Sequence, residues 1–255
     1  DAKHIIITTA NAAKKMNVAH LFMDADHSKD RRSLGAMLKG DKMKYLSIIT
    51  NFGCHWLCPY CVVKNNRIDV PRTTIKGLEN LKAVIAKEQA DIISVSGGGD
   101  PLHNYTEHTD YYAVLFYICN ELKLPLEMHT SYILSPFPYE KCYRVVYHLN
   151  DISQMPLIKR HGGEKVRVVF VVTEQFTKSL IDKIAAFVEN SPNIDELSFR
   201  QMVNKNFETT YYCFDYLKAG HGGKWWYIEQ CDYNTYYING VICYEYSKIK
   251  ELDNG

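Results

Sequence analysis

A chain of 255 residues, 46% hydrophobic and 23% charged, has enough apolar content to bury one sizeable core, which excludes a disordered polymer and a small disulfide-stapled scaffold. Thirty Lys and Arg against 29 Asp and Glu leave a net charge of +1, so no global positive field advertises nucleic acid. The longest apolar runs, such as "HIIITT" and "VRVVFVV", are strand-length and no signal-peptide pattern opens the chain; a cytoplasmic protein with no membrane partner is expected.

Residues 1–43 read as an N-terminal extension with helical stretches around Ala10 and Leu34. "KYLSIIT" (44–50) is the first expected strand, and "TTIKGLENLKAVIAKEQA" (73–90) places Ile75, Leu78, Leu81, Val84 and Ile85 on one helix face. Further strands are expected at "DIISVSG" (91–97), "PLEMHTSY" (125–132), "RVVYHLN" (144–150), "KVRVVFVV" (165–172) and "IDELSFR" (194–200). Helices fall near 109–122, around 137–143, near 153–160 and over 177–190. Six near-continuous apolar strands separated by helices argue for a parallel sheet, and the right-handed crossover rule leaves an open doubly wound sheet or a barrel. In either, ligands gather at the carboxyl ends of the strands. Residues 201–255 are dense in aromatics: "FETTYYCFDYL" suits a helix and Asn239-Gly240 a tight hairpin turn, so 207–247 are expected to form a helix and hairpin lining a substrate entrance.

Of eight cysteines, Cys119, Cys142, Cys213, Cys231 and Cys243 are scattered and read as small buried hydrophobes. The other three lie in "NFGCHWLCPYC" (51–61), directly after the first strand, as Cys54-x3-Cys58-x2-Cys61. In a reducing compartment such a cluster points to a metal, because thiolates need a cation nearby to hold their charge. Structural zinc wants four ligands, and no second cysteine or histidine pair follows; His55 adjoins Cys54, and adjacent side chains point apart. A zinc module and a noncatalytic iron–sulfur electron carrier stay open as alternatives. Three thiolates on an iron–sulfur cubane would leave one iron without a protein ligand. One β-unit later comes "SVSGGGDPLHN" (94–104), a glycine run that suits either a tight strand-to-helix turn or close backbone approach to a ligand.

Together these stretches resemble the radical S-adenosylmethionine superfamily. The cysteine spacing, with aromatic Tyr60 before the last cysteine, is similar to that family's signature. Gly98, Gly99, Asp100 and Pro101 resemble its glycine-glycine-glutamate-proline motif, with aspartate in the glutamate's place. The resemblance covers roughly residues 44–200 and implies a partial (β/α)6 TIM-like barrel, flanked by the N-terminal extension and a C-terminal helix plus β-hairpin. It implies a [4Fe–4S] cluster on Cys54, Cys58 and Cys61 and S-adenosylmethionine on the open iron, cleaved by one electron to a 5′-deoxyadenosyl radical that abstracts hydrogen from the substrate. The Gly98–Asp100 turn would take the methionine amino group. His129, Ser131, Asn150 and Arg200, at expected strand ends, are candidates for the rest of the cofactor, with Arg200 suited to its carboxylate. His129 and His148 equally suit hydrogen-bonded core positions, and Arg200 an ion pair. The partners implied are an electron donor such as flavodoxin or ferredoxin and a small-molecule or nucleoside-type substrate, with a peptide or protein substrate as the alternative.

Overall fold

The computed structural model describes residues 43–219, 223–228 and 234–252. The helical stretches expected around Ala10 and Leu34, and Cys231, lie outside them. All six expected strands form near their expected limits: β1 Tyr45–Thr50, β2 Ile92–Gly97, β3 Leu126–Thr130, β4 Arg144–Leu149, β5 Lys165–Val172 and β6 Glu196–Gln201. They pair in sequence order, each parallel to the one before. That order has no reversal, so the doubly wound alternative falls, since it requires a switch point.

The sheet extends at both edges. β7, Trp225–Ile228, pairs parallel with β6, and β8, Thr235–Ile238, pairs parallel with β1. β9, Val241–Cys243, returns antiparallel to β8 through Asn239 and Gly240, whose φ values of 47° and 103° are those the Asn-Gly turn requires. The result is a nine-stranded, mostly parallel sheet with β7 and β9 at opposite ends, so it is open rather than closed into a barrel.

The helices are α1 Val62–Asn65, α2 Leu81–Glu88, α3 Thr109–Glu121, α4 Lys178–Asn190 and α5 Phe214–Lys218. α4 begins where Thr177 accepts a bond from the Leu180 N–H, and it buries Ile181, Ile184 and Val188. The helix expected over 73–90 divides into a 3₁₀ turn, Ile75–Leu78, and α2. Tertiary contact sets this break: the Tyr237 hydroxyl donates to the Gly77 carbonyl at 2.6 Å, and a Cβ on Gly77 would meet Asn239 Oδ1 at 2.2 Å. The helices expected around 137–143 and near 153–160 are only 3₁₀ turns, Tyr139–Lys141 and Ile152–Leu157. Pro136, Pro138 and Pro156 remove backbone donors that an α-helix needs there. The expected helix "FETTYYCFDYL" shrinks to α5. No helix among the described residues is long and apolar enough to cross a membrane.

Successive side chains along a strand face opposite sides. One face carries Leu46, Ile48, Ile93, Val95, Met128, Val145, Val168 and Phe199 into the main core. The other carries Ser47, Ser94, Glu127, His129, Arg144, Arg167, Glu196, Ser198 and Arg200. Here Tyr45 of β1 lies close enough to Arg144 of β4, three strands away, for the guanidinium to act on its hydroxyl. In a flat sheet that gap spans about 14 Å, so this polar face is concave.

Candidate active site

The cysteine loop leaves β1 at Asn51, whose N–H donates to Thr73 Oγ1 at 2.6 Å and whose amide donates to the Val70 carbonyl at 2.5 Å. Beyond Cys54, Lys64 Nζ donates to the Trp56 carbonyl at 2.8 Å, and the Asn65 amide donates to the Pro59 carbonyl at 2.8 Å. These bonds fold the loop back on α1. The Trp56 N–H donates to Cys54 Sγ at 3.4 Å, and the Cys58 thiol to Asn150 Oδ1 at 3.5 Å, an oxygen that also accepts from the Tyr60 hydroxyl.

All three cysteines are free thiols. Loss of solvation pushes the Cys54 and Cys58 thiols above their ordinary range, and Cys61 adds to the rise in both. The three sulfurs therefore lie within one another's fields. Among the described residues, no three His, Cys, Asp or Glu side chains close into a ready metal-holding group. What fits a thiolate-bound centre is the donor chemistry: three free thiols close together, whose charges a nearby cation would stabilise as thiolates.

The glycine turn packs directly on this loop. Gly98 N–H donates to the Thr50 carbonyl at 2.7 Å and Asp100 N–H to the Gly53 carbonyl at 2.8 Å. A Cβ on Gly99 would sit 2.1 Å from the Gly53 carbonyl oxygen, so close backbone approach between the two loops, rather than turn geometry alone, requires glycine. Asp100 is only 5% exposed. Its Oδ1 accepts from Leu102 N–H at 2.9 Å and the Thr130 hydroxyl at 2.7 Å; its Oδ2 accepts from the Ser131 N–H and hydroxyl, both at 2.6 Å. Four donors fill a carboxylate's capacity. Asp100 thus ties the end of β2 to the end of β3, and the Ser131 hydroxyl hydrogen serves that tie while its oxygen keeps acceptor capacity.

All twelve residues singled out in the sequence line one cavity of about 690 Å³: Cys54, Cys58, Tyr60 and Cys61 from the first loop, Gly98, Gly99, Asp100 and Pro101 from the second, and His129, Ser131, Asn150 and Arg200 from the ends of β3, β4 and β6. Phe207, Tyr236 and Tyr246 of the aromatic segment also line it, whereas Trp225 packs edge-on against Phe199 at 5.2 Å in the core. The segment is thus partly wall and partly core.

The sequence reading missed the polar network on the concave face. Arg144 Nη1 donates to Glu127 Oε2 at 2.7 Å, Arg144 Nε lies 3.0 Å from Glu196 Oε2, and Arg167 Nε donates to the same Glu196 oxygen at 2.8 Å. Burial alone would raise the Glu127 carboxyl, but His129 and Arg144 overcome it and hold the group well below the usual carboxylate range. Against the cost of burial, Glu127 and Glu196 keep Arg144 firmly charged. Burial lowers His129 despite Glu127, and burial together with His129 and Arg200 lowers His148 further, which favours the neutral imidazole in both. Among the described residues Arg200 Nε is buried with no hydrogen-bond partner. The signal for this network was the period-two spacing of Glu127-x-His129 and Glu196-x-Ser198-x-Arg200 inside otherwise apolar strands.

No protein-family model matches the chain, and no curated protein matches it. Its fold is similar to the crystal structure of Streptococcus suis SuiB bound to S-adenosylmethionine, with a TM-score of 0.50 and 16% sequence identity over 90% of this chain and 60% of that one. The chain therefore spans less than two thirds of that protein's length, and at this identity the likeness shows a shared α/β fold.

Proposed function

We propose that this chain is a radical S-adenosylmethionine enzyme, with Cys54, Cys58 and Cys61 holding a [4Fe–4S] cluster. The observation that carries the reading is convergence: three free thiols, a glycine turn and polar strand ends from β3, β4 and β6 open onto one cavity at the carboxyl edge of a parallel sheet. The S-adenosylmethionine bound by the structurally similar Streptococcus suis protein supports the cofactor. Sequential strand order and a concave inner face support a partial (β/α)6 barrel over residues 44–200, flanked by 1–43 and 201–255. The cavity volume falls within the range of small-ligand sites and supports a small-molecule or nucleoside-type substrate.

A bound cluster of this kind supplies the electron for reductive cleavage of S-adenosylmethionine, from a donor such as flavodoxin or ferredoxin. The chain's own residues position and enclose. The backbone of Gly98 and Gly99 offers polar groups to the cofactor, because Asp100 is committed to Thr130 and Ser131. Asn150 holds Cys58 and Tyr60 against the strand ends, and Phe207, Tyr236 and Tyr246 wall the cavity against solvent, which suppresses side reactions. Anaerobic reconstitution tests the reading: the chain should take up about four irons, and Cys54→Ala, Cys58→Ala or Cys61→Ala should each abolish the uptake. Stoichiometric zinc with no iron would sink it.

A further inference from the structure

Four side chains on β3 and β4 form a single hydrogen-bond chain on the concave face. Arg144 Nη1 donates to Glu127 Oε2 at 2.7 Å, Glu127 Oε1 lies 2.7 Å from His129 Nε2, and His129 Nδ1 lies 3.0 Å from His148 Nε2. The chain starts in the interior, where Glu127 is 3% and His129 9% exposed, and ends at partly exposed His148 in the cavity wall.

With both imidazoles neutral, the bonding fixes the protons. An ionised carboxylate only accepts, so His129 carries its hydrogen on Nε2, toward Glu127. Neutral His129 then has its lone pair on Nδ1, and His148 must donate from Nε2. Neutral His148 is left with a lone pair on Nδ1. Among the described residues that nitrogen has no hydrogen-bond partner, and His148 lines the cavity. A base oriented by a second group, itself held by a third, is the arrangement that prepares a side chain to take a proton.

The charged and titratable groups around His148 are Glu127 and His129 from β3, Arg144 of its own strand, Arg167 from β5 and Arg200 from β6. Arg200 acts on both histidines and lines the same cavity as His148. Among the described residues its Nε is buried without a hydrogen-bond partner. A buried guanidinium donor left unpaired favours an acceptor, best an anion, beside it.

We propose that His148 accepts a proton, and Arg200 holds the resulting anion, from a substrate carrying a weakly acidic O–H or N–H; the assignment rests on this cavity being the active site. In that step the substrate O–H or N–H bond breaks, the proton goes to His148 Nδ1 and the electron pair stays on the substrate atom beside Arg200. Nothing is oxidised, and the imidazolium is stabilised through His129 by Glu127. His129, Glu127 and Arg144 are positioning residues.

The test is nitrogen NMR of the histidine rings in the full chain without iron or S-adenosylmethionine, so that it is independent of the cluster reading. At neutral pH His148 should be protonated on Nε2 only, with a titration midpoint below the ordinary 6.5. His129→Leu should turn it into a mixture of tautomers, and Arg200→Gln should raise its midpoint. Because His129→Leu risks misfolding, the intact chain decides alone: a hydrogen on His148 Nδ1 at neutral pH overturns the proposal. The substrate class is tested with 4-nitrophenol, which should ionise at lower pH in the presence of the chain and lose that shift with His148→Phe; an unshifted titration overturns it. If the chain fails to cleave S-adenosylmethionine but shows the expected tautomer, the cofactor reading has failed and the relay stands.

Discussion

Asp100 and the histidine pair show how single residues divide between holding the site and acting in it. Asp100 accepts four bonds, three of them from Thr130 and Ser131, so removing it leaves buried donors unpaired. Asp100→Ala should lower the unfolding free energy by roughly 2–4 kcal/mol, measured by urea denaturation; an unchanged midpoint would mean the clamp is dispensable. Burial lowers His129 and His148 below 6.5, so as pH falls below that value the unfolded chain takes up protons first and stability declines. Glu127, depressed in the folded state, adds loss in the same direction at lower pH. The denaturation midpoint should therefore be lower at about pH 5.5 than at about pH 7.5; equal midpoints would contradict neutral buried histidines. The three cysteines were legible in the sequence because their spacing is local. The task of Asp100 was not, because its partners Thr130 and Ser131 lie a full β-unit away, and the polar face was hidden by strands read for average hydrophobicity.

Each element formed where local pattern and tertiary contact agreed. α3, α4 and the Asn239-Gly240 turn follow their periodicity and turn chemistry closely. The segments around 137–143 and 153–160 do not, because their prolines leave too few backbone donors for an α-helix, and 73–90 is interrupted where Gly77 meets the β8–β9 turn. The two site loops are fitted backbone to backbone at Gly53 and Gly99. Gly99→Ala places a Cβ 2.1 Å from the Gly53 carbonyl oxygen and should push the cysteine loop away from β2. The expected cost is about 1–3 kcal/mol, with reduced iron uptake; wild-type stability and uptake together would show that the loops do not depend on this contact.

At the scale of the molecule, the sequence carried the six parallel strands but left their order between a doubly wound sheet and a barrel, and it did not carry how the tail is used. The C-terminal segment was expected to form a helix and hairpin lining a substrate entrance. The hairpin forms as β8 and β9, but β8 also extends the sheet beyond β1, burying Tyr237 and Ile238, and β7 continues it beyond β6. This pairing is long-range and leaves no local pattern to read. Deleting the chain after Gln201 should therefore expose both edges of the six-strand core and abolish cooperative unfolding, as followed by circular dichroism; a truncated chain that still melts cooperatively would show that the added strands are accessory. The central claim, that these thiols and strand ends serve radical chemistry on S-adenosylmethionine, is tested most directly by incubating reconstituted chain with that cofactor and a strong reductant and measuring 5′-deoxyadenosine. The account predicts its release by the intact chain and none from Cys58→Ala; iron-loaded, reduced protein that releases none would contradict it.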